Sequence, residues 1–339
     1  MSWRETTYLD GQPGTAIVII LPTKGCKWAL GDQGGCFMCG YIEDAPIDPS
    51  TQEELWNEFE RALNIYKDVK DPFALRIFNS GSFFDEEEVS IALRERIFHK
   101  IEKDPRIKEV TIETRPEYVL KQKLLEMKQC LPSKRIEIAI GLESSNDQIR
   151  VELINKGFDF KSFKKAINII KSNGIASKAY LLLKPPFLSE EEAIQDVLLS
   201  IKACKQLGIE KISINPCTVQ KGTLVEKLWK ERRYRPPWLW SVLQILTILF
   251  SSNESNPVII CEPTAGGKVR GAHNCGKCDN DVLKAINRIS LTQTLKEVII
   301  PECECKSIWI TIKKQELIAQ RSILNLLSPK VAELYGTDF

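Results

Sequence analysis

Short apolar or β-branched runs alternate with longer segments of helical periodicity over the first 215 residues. The predicted strands are Ala16–Leu21, Ala74–Phe78, Glu109–Glu113, Ile136–Gly141, Ala176–Leu183 and Lys211–Ile214. The predicted helices between them are Gln52–Tyr66, Glu86–Glu102, Glu117–Cys130, Phe160–Ser172 and Glu190–Leu207. Repeated alternation of strands and helices favours right-handed crossovers and a parallel sheet. The pattern therefore predicts an α/β fold, an open or partial (β/α)6 barrel whose ligands lie where the strands end.

The pattern changes after Pro216, so we predict two units, a barrel over residues 1–220 and a C-terminal extension over residues 221–339. In the extension we predict the helices Leu224–Arg235, Trp238–Phe250 and Glu316–Leu327, and the strands Val258–Cys261 and Ile308–Ile312. The first of these helices is expected to end before Pro236 and Pro237, because proline interrupts helical hydrogen bonding.

The composition adds no positive evidence for the fold, but it excludes several classes of protein. The chain has 339 residues, of which 43% are hydrophobic and 27% charged, so extensive disorder is excluded. Its net charge of +2 gives no general support for nucleic-acid binding. The most apolar stretch, Trp238–Phe250, is shorter than the ~20 residues that span a bilayer, and the first residues show no signal-peptide pattern. We therefore expect a soluble, cytoplasmic protein without a membrane partner.

Eleven cysteines in such a chain favour metal binding over disulfides, and the first group lies directly after the first predicted strand. Cys26, Cys36 and Cys39 stand in a loop that contains several glycines. Three thiolates can hold three irons of a [4Fe–4S] cluster and leave the fourth iron for another ligand. The alternative is a structural zinc site whose fourth ligand comes from elsewhere, such as Cys217 or His99.

The second group consists of two cysteine pairs, Cys275 with Cys278 and Cys303 with Cys305, separated by 24 residues. Four thiolates can complete a tetrahedral zinc site, so we favour a structural zinc. An auxiliary Fe–S cluster is the alternative, and His273 could replace one thiolate.

The segment Lys227–Trp238 combines five basic residues with three aromatic residues. Such a segment can neutralise phosphates and stack on unpaired bases, which would suit RNA. A helix with solvated basic side chains and aromatic side chains in the core would explain the same residues.

Several motifs resemble the radical SAM superfamily, in the branch that includes the elongator catalytic subunit and the methylthiotransferases. Within that branch the chain looks most like the radical SAM subunits of archaeosine synthase. The motifs follow the first four predicted strands in order and are Pro22–Cys26, Gly35–Tyr41, Asn79–Asp85, Glu113–Glu117 and Gly141–Ser144. The resemblance extends across nearly the whole chain.

The resemblance implies a partial (β/α)6 radical SAM barrel with a C-terminal cysteine-rich metal-binding subdomain. It implies a [4Fe–4S] cluster on Cys26, Cys36 and Cys39, whose free iron is chelated by S-adenosylmethionine (SAM). An electron from the reduced cluster then cleaves SAM to a 5′-deoxyadenosyl radical. Arg115 joins the three cysteines as a catalytic candidate, because its planar guanidinium suits a carboxylate.

The resemblance also suggests which residues contact SAM. We expect Glu143 to bind ribose hydroxyls, Asn215 to contact adenine or ribose, and Arg115 to pair with Glu113. A purely structural Glu113–Arg115 pair, and an Asn215 that merely ends its strand, are the alternatives. Met38 stands where an aromatic residue is commoner in the family. The full set of candidates is Met38, Tyr41, Ser80, Gly81, Ser82, Glu113, Arg115, Glu143, Ser144 and Asn215.

The function implied by the resemblance is the lyase step of archaeosine formation. The substrate would be a lysine-modified 7-deazaguanine nucleotide in the D-loop of tRNA, whose C–N bond is cleaved after hydrogen abstraction. The implied partners are tRNA, the lysine-transferring archaeosine synthase subunit and an electron donor. The alternatives are another radical SAM tRNA-modifying enzyme and a non-catalytic, zinc-bearing RNA-binding protein. No second cysteine triplet precedes Cys26, which disfavours a methylthiotransferase.

Overall fold

Eight strands form one open, curled sheet in the order of the chain, in a computed structural model that describes residues 1–46, 48–251 and 256–315. The first two strands are antiparallel, and every later pair of neighbours is parallel. The strands are β1 Ser2–Leu9, β2 Gln12–Leu21, β3 Phe73–Asn79, β4 Ile107–Glu113, β5 Arg135–Glu143, β6 Ala176–Leu183, β7 Lys211–Pro216 and β8 Val258–Ile260. The predicted α/β fold with a partial barrel is confirmed.

Helices follow the strands and cover the outer face of the sheet. They are α1 Lys27–Leu30, α2 Gln52–Asn64, α3 Ile91–Glu102, α4 Lys121–Cys130, α5 Phe160–Ser172, α6 Glu190–Gln206, α7 Leu224–Lys230, α8 Leu239–Ser251 and α9 Asp279–Thr292, with a further helix over residues 305–315. Helices α2 and α6 begin with complete capping boxes on Thr51 and Ser189, so the start of each is encoded locally.

The two faces of the central strands differ sharply. Alternate residues such as Ile112, Ile138 and Ile214 are fully buried in the hydrophobic core that the strands share with the helices. The residues between them turn to the inner face of the curled sheet, where charged side chains such as Glu137 and Lys178 lie. The fold therefore places polar chemistry inside the half-barrel and apolar packing outside it.

All six strands predicted for the barrel are present as β2 to β7, and the predicted strand at 258–261 is present as β8. Strand β1 was not predicted, because its exposed, polar-rich sequence carries no buried run. Helix α9, between the cysteine pairs, was not predicted either. Two helices begin later than predicted, α3 at Ile91 after its cap Ser90, and α4 at Lys121 after a short 3-10 turn.

The predicted strand Ile308–Ile312 is wrong, because these residues belong to the helix over 305–315. Its alternating β-branched residues resemble a strand, but Trp309 is buried and donates an indole hydrogen bond of 2.9 Å to the Ser241 hydroxyl of α8. Packing on α8 thus overrides local β propensity. The predicted helix Glu316–Leu327 lies outside the described residues.

The extension is joined closely to the barrel. Strand β8 continues the sheet beside β7, and side chains of α8 and α9 belong to the same hydrophobic core as the barrel strands. The division near residue 220 stays a prediction. Among the described helices, none combines the length and the apolar character that crossing a bilayer requires.

Candidate functional site

The first cysteine group lies in a loop between β2 and the short 3-10 turn Tyr41–Asp44, at the carboxyl edge of the sheet. Cys26 is the N-cap of α1, and its carbonyl oxygen accepts hydrogen bonds from the amides of Ala29 and Leu30. The amide of Cys39 donates to the carbonyl of Cys36 over 3.0 Å. Local backbone structure therefore orders both ends of the loop.

The loop is also attached to the segment that follows β5. The Trp28 indole donates to the carbonyl of Asn155 (2.7 Å), and the Asn155 amide donates to the carbonyls of Gln33 (2.9 Å) and Gly35 (2.8 Å). Gly35 has φ = +78°, and a Cβ there would meet Ala29 at 2.9 Å, so only glycine suits this turn. These contacts hold the cysteine loop against the segment that follows β5.

The three thiols converge less closely than the four C-terminal cysteines. All three side chains are partly buried, and among the described residues the group of three or more ligand atoms that all lie within 4.8 Å of one another is formed by Cys275, Cys278, Cys303 and Cys305. Each cysteine of an Fe–S cluster binds a different iron, so wider spacing is expected there. Burial raises the pKa of the Cys36 thiol to about 11, and a bound metal ion would lower it.

An ion pair lies beside these thiols. Glu143 ends β5 with φ = +66°, and its Oε1 is 2.6 Å from Nζ of Lys156. Both side chains are nearly buried, and Lys156 acts electrostatically on Cys36. A non-glycine residue at positive φ costs free energy and is commonest at functional sites. The predicted Glu143 thus lies at the cysteine loop with a partner that sequence analysis missed.

Arg115 lies at the same edge, but its partners differ from those expected. The predicted pair with Glu113 is not formed, because the Arg115 guanidinium binds the Glu117 carboxylate and donates to the Lys156 carbonyl over 3.1 Å. Its guanidinium also lies 5.4 Å from the ring centroid of Phe158. These contacts fix the guanidinium near Cys26 and Cys36, whose charges act on it.

Glu113 instead faces the inner side of the half-barrel. Burial raises the pKa of its carboxyl group, against the opposing effects of the Tyr180 hydroxyl and of the ammonium groups of Lys178 and Lys156. Glu113 is the last residue of β4, and the alternation along the strand directs its side chain to the inner face. Arg115 lies beyond the strand, as the N-cap of the 3-10 turn Pro116–Tyr118, so its side chain does not follow that alternation.

The segment after β3 is organised by Glu88, which sequence analysis did not identify. The Glu88 carboxylate accepts hydrogen bonds from the Thr23 hydroxyl (2.7 Å), the Asn79 amide (2.7 Å) and the backbone amide of Ser82 (2.8 Å). A Cβ at Gly81 would collide with it at 1.9 Å. Glu88 is 3% exposed, and its burial raises the pKa of its carboxyl group. The carboxylate thus joins the loop after β2 to the loop after β3.

Two of the predicted SAM-contacting hydroxyl groups are already engaged. The Ser82 hydroxyl accepts a hydrogen bond from the amide of Arg115 over 3.0 Å. The buried Ser144 hydroxyl donates to Asp196 of α6 over 2.7 Å and accepts from the amide of Asn146. Both serines therefore hold neighbouring segments in place.

The remaining candidates lie around the opening. Asn215 of β7 is partly buried, and its side-chain oxygen accepts from the Ser213 hydroxyl over 3.0 Å. Met38 packs against the core, Tyr41 is 53% exposed, and Ser80 is partly buried. The structure thus brings the loops after β2, β3, β4 and β5 to one edge of the sheet, as their order in the sequence predicted.

The C-terminal cysteines form a second, compact cluster. Their Sγ atoms are 3.9 Å apart between Cys275 and Cys278, 3.7 Å between Cys275 and Cys303, and 3.6 Å between Cys278 and Cys305. Four sulfurs at about 2.3 Å from one tetrahedral ion stand about 3.8 Å apart. The spacing therefore matches a single ion held by four thiolates.

Donors around this cluster orient its sulfurs. The Trp240 indole donates to Sγ of Cys305 over 3.2 Å, and the Asn274 amide donates to Sγ of Cys278 over 3.4 Å. The Asp279 carboxylate accepts from the backbone amides of Asn274 and Gly276, which shapes the turn between the first two cysteines. Such outer contacts are typical of metal sites. His273 is outside this group of ligand atoms.

The basic and aromatic segment 227–238 divides between surface and core. Tyr234 and Trp238 are buried, so their rings are not available to bases. Lys227, Arg232 and Arg233 are exposed. Tyr234 and Trp238 therefore serve packing, Trp229 is half-buried, and these three basic residues remain at the surface.

No protein-family model matches the chain. Among solved structures, Elp3 of Methanocaldococcus infernus matches with a TM-score of 0.52 and 17% identity, over 73% of this chain and 64% of that one. SuiB of Streptococcus suis matches with a TM-score of 0.50 and 16% identity, over 72% of this chain and 49% of that one. At these identities the likeness concerns the fold, which is that of radical SAM enzymes.

Sequence similarity identifies the family as well as the fold. Archaeosine synthase subunit beta of Methanosarcina acetivorans is 41% identical over 309 residues, which are 91% of this chain and 88% of that protein. Archaeosine synthase subunit beta of Thermococcus kodakarensis is 39% identical over 318 residues, 93% of this chain and 97% of that protein. The chain therefore belongs to the family of archaeosine synthase beta subunits.

Proposed function

We propose that this protein is a radical SAM enzyme that modifies tRNA in the cytoplasm, and that residues 1–220 carry the chemistry. The observation that carries the proposal is the loop of Cys26, Cys36 and Cys39 at the carboxyl edge of a radical SAM half-barrel, in a chain about 40% identical to archaeosine synthase beta subunits. When bound there, a reduced [4Fe–4S] cluster would supply the electron that cleaves SAM and generates a 5′-deoxyadenosyl radical.

The surrounding residues suit the binding of SAM. Ser80, Gly81 and Ser82 lie in the segment that Glu88 holds against the cysteine loop, so its backbone carbonyls can accept from an ammonium group. Arg115, fixed beside Cys26 and Cys36, offers a guanidinium to a carboxylate.

Other candidates would complete this site. Glu143 can accept from ribose hydroxyls while Lys156 neutralises its charge. Asn215 and the partly buried Met38 are available to the adenine. The exposed Tyr41 lies at the opening of the half-barrel, and Glu113 lies on the inner face below that opening.

For the substrate we propose a lysine-modified 7-deazaguanine nucleotide in tRNA, delivered by a lysine-transferring subunit. Hydrogen abstraction from the lysine arm would lead to C–N cleavage and leave the formamidine group of archaeosine. The names of the relatives, archaeosine synthase subunit beta, support both the product and the dependence on a second subunit. A one-electron donor is required to reduce the cluster.

The C-terminal cluster we assign to a structural zinc ion. The separations of its Sγ atoms, between 3.6 and 3.9 Å, support one tetrahedral ion rather than a multinuclear cluster. Its position between α8, α9 and the helix over 305–315 suggests that the ion holds the extension together. The exposed basic residues of the extension would then contribute to a tRNA-binding surface.

The experiment that tests this function uses reconstituted protein, SAM and a chemical reductant under anaerobic conditions. One tRNA carries the lysine-modified nucleotide, and a matched tRNA carries the same 7-deazaguanine before lysine transfer. We expect archaeosine to form only from the first tRNA, with release of 5′-deoxyadenosine. Formation of 5′-deoxyadenosine without loss of the lysine arm would show that the substrate is a different one.

A further inference from the structure

The inner face of the half-barrel carries charged groups below the cysteine loop, and most of them are paired. The Arg76 guanidinium binds the Glu5 carboxylate. The Lys211 ammonium lies 2.9 Å from Glu109 and 2.8 Å from Glu137. Buried charges are expected to be paired in this way, because desolvation makes an isolated charge costly.

Two neighbouring groups on β6 depart from this rule. Lys178 is 2% exposed, and its Nζ lies 4.7 Å from the ring centroid of Tyr180. No carboxylate lies within 4.0 Å of this ammonium group among the residues that the structure describes. The Tyr180 hydroxyl is buried and, in the described part of the chain, has no partner at hydrogen-bonding distance, although it lies close enough to the Glu113 carboxyl group to affect its pKa. A buried ammonium and a buried hydroxyl, each with carboxyl groups nearby but none at hydrogen-bonding distance, call for an explanation, such as a bound ligand.

The neighbouring strand has two small residues at this position. Ala139 of β5 is paired with Lys178, and Gly141 is paired with Tyr180. Glu113 of β4 is in turn paired with Ala139, on the opposite side of β5. Ala139 offers only a methyl group between Glu113 and Lys178, whereas the side chains of Glu143 and Lys156 cover Gly141.

This part of β5 lies directly beneath the candidate SAM site. A Cβ added at Gly141 would come within 2.6 Å of the Glu143 carboxylate and 2.8 Å of the Lys156 ammonium. A ligand that enters the half-barrel from the cysteine loop would therefore pass the Glu143–Lys156 pair before it reached Lys178 and Tyr180.

We propose that Lys178 and Tyr180 bind the carboxylate of the amino-acid arm of the substrate. This inference rests on the proposed function, in which the substrate carries a lysine. Whichever nitrogen attaches that lysine to the base, a carboxylate and an ammonium group remain free. The carboxylate matches two buried donors, and the ammonium would face the carboxyl groups of Glu113 and Glu262, which act electrostatically on Lys178.

The variant Lys178→Met should fold. Burial, together with nearby Arg76, lowers the pKa of Lys178 to about 8, so the native protein stabilises this ammonium poorly. Methionine has a similar length and no charge, and its introduction removes a buried donor without orphaning a partner. Tyr180→Phe removes the second donor with even less change in shape.

The test compares equilibrium binding of two tRNAs to the SAM-loaded protein, one with the lysine arm and one with the same base before lysine transfer. We expect the wild type to prefer the lysine-bearing tRNA, and Lys178→Met to reduce that preference by about tenfold or more. Tyr180→Phe should reduce it by about threefold or more. Lys108→Met, which removes an exposed lysine of β4, should keep the wild-type preference.

The outcomes separate this inference from the proposed function. If the wild type shows no preference, the proposed substrate is wrong, and the inference fails with it. If the wild type shows the preference and both Lys178→Met and Tyr180→Phe retain it, the function stands and the carboxylate site is overturned. If Lys178→Met weakens the binding of SAM itself and leaves the preference intact, the carboxylate belongs to SAM, which also overturns the inference.

Discussion

Lys156 and Glu143 form an ion pair of 2.6 Å, and the pair connects the end of β5 to the cysteine loop. Lys156→Met would leave the Glu143 carboxylate, which is 7% exposed, without its ammonium partner. We expect the free energy of unfolding to fall by about 3 kcal/mol, the usual cost of breaking a buried pair from one side. Denaturant unfolding under anaerobic conditions measures it.

The double variant Lys156→Met/Glu143→Gln serves as the internal control and should recover part of this loss, because no isolated charge remains. Lys100→Met breaks an exposed pair with Glu60 and should cost less than ~1 kcal/mol. Equal losses for Lys156→Met and Lys100→Met would show that the Glu143 pair is not desolvated.

The two cysteine groups should respond differently to substitution. Cys26→Ala, Cys36→Ala or Cys39→Ala should abolish iron retention and SAM cleavage with little change in melting temperature. Cys275→Ala or Cys303→Ala should instead lower the melting temperature by ~6 °C or more, because the proposed zinc ion would contribute to folding. Iron and zinc analysis and thermal unfolding on the same samples measure both effects.

Cys130, at the end of α4, is partly buried and lies outside both groups, so Cys130→Ala is the matched control and should change neither metal content nor activity. Full 5′-deoxyadenosine release by a variant of the first group would refute the radical mechanism.

Substitution of Glu88 should lower stability and SAM affinity far more than substitution of its neighbour Glu87. Glu88→Gln replaces one acceptor oxygen with a donor, so at least one of its three hydrogen bonds is lost and a buried donor is orphaned. We expect a loss of ~1–3 kcal/mol in stability and a roughly tenfold weaker binding of SAM, as the segment after β3 loosens. Calorimetric titration with SAM measures the affinity.

Glu87 pairs with Lys24 and Lys27 at the surface and is the natural control, because exposed pairs contribute little. Similar SAM affinities for Glu88→Gln and Glu87→Gln would disprove the positioning role of Glu88.

Asp196 should make stability depend on pH. Burial raises the pKa of its carboxyl group from 3.8 to about 7, against the opposing effects of the Ser144 hydroxyl and Arg150. Between those pH values the native state binds more protons than the unfolded chain, so the free energy of unfolding falls as pH rises through this range. From pH 5.5 to pH 8, Asp196→Asn should therefore gain about 2 kcal/mol relative to the wild type.

Unfolding curves at the two pH values measure this change. Asp281→Asn, at the exposed start of α9, should follow the wild type at both. A wild-type stability that does not fall between pH 5.5 and pH 8 relative to Asp196→Asn would contradict the assigned protonation.

The barrel was predictable because the outward-facing residues of its parallel strands are buried and apolar, and β2 contains a continuous apolar run, Ala16–Leu21. The order of motifs then placed Cys26, Arg115 and Glu143 at one edge, since the carboxyl ends of parallel strands meet there. Strand β1 was not predictable, because its inner residues are polar and its partner β2 supplies the pairing.

The supporting residues of the site could not be predicted, because only tertiary structure gives them partners. Glu88 belongs to an acidic run, Asp85–Glu88, that resembles a solvated surface. Lys156 stands in a loop without a motif. The helix over 305–315 was misread because its β-branched alternation is local, whereas the burial of Trp309 against Ser241 is not.

The central claim, that the first cysteine group supports radical SAM chemistry, is tested most directly by one combined measurement. Iron, sulfide and zinc per chain are determined after anaerobic reconstitution, and dithionite-dependent release of 5′-deoxyadenosine is measured on the same sample. We predict about four irons and one zinc, with nucleoside released. About eight irons without zinc would retain the chemistry and contradict the zinc assignment. Zinc alone, without nucleoside, would contradict the central claim and favour a non-catalytic RNA-binding protein.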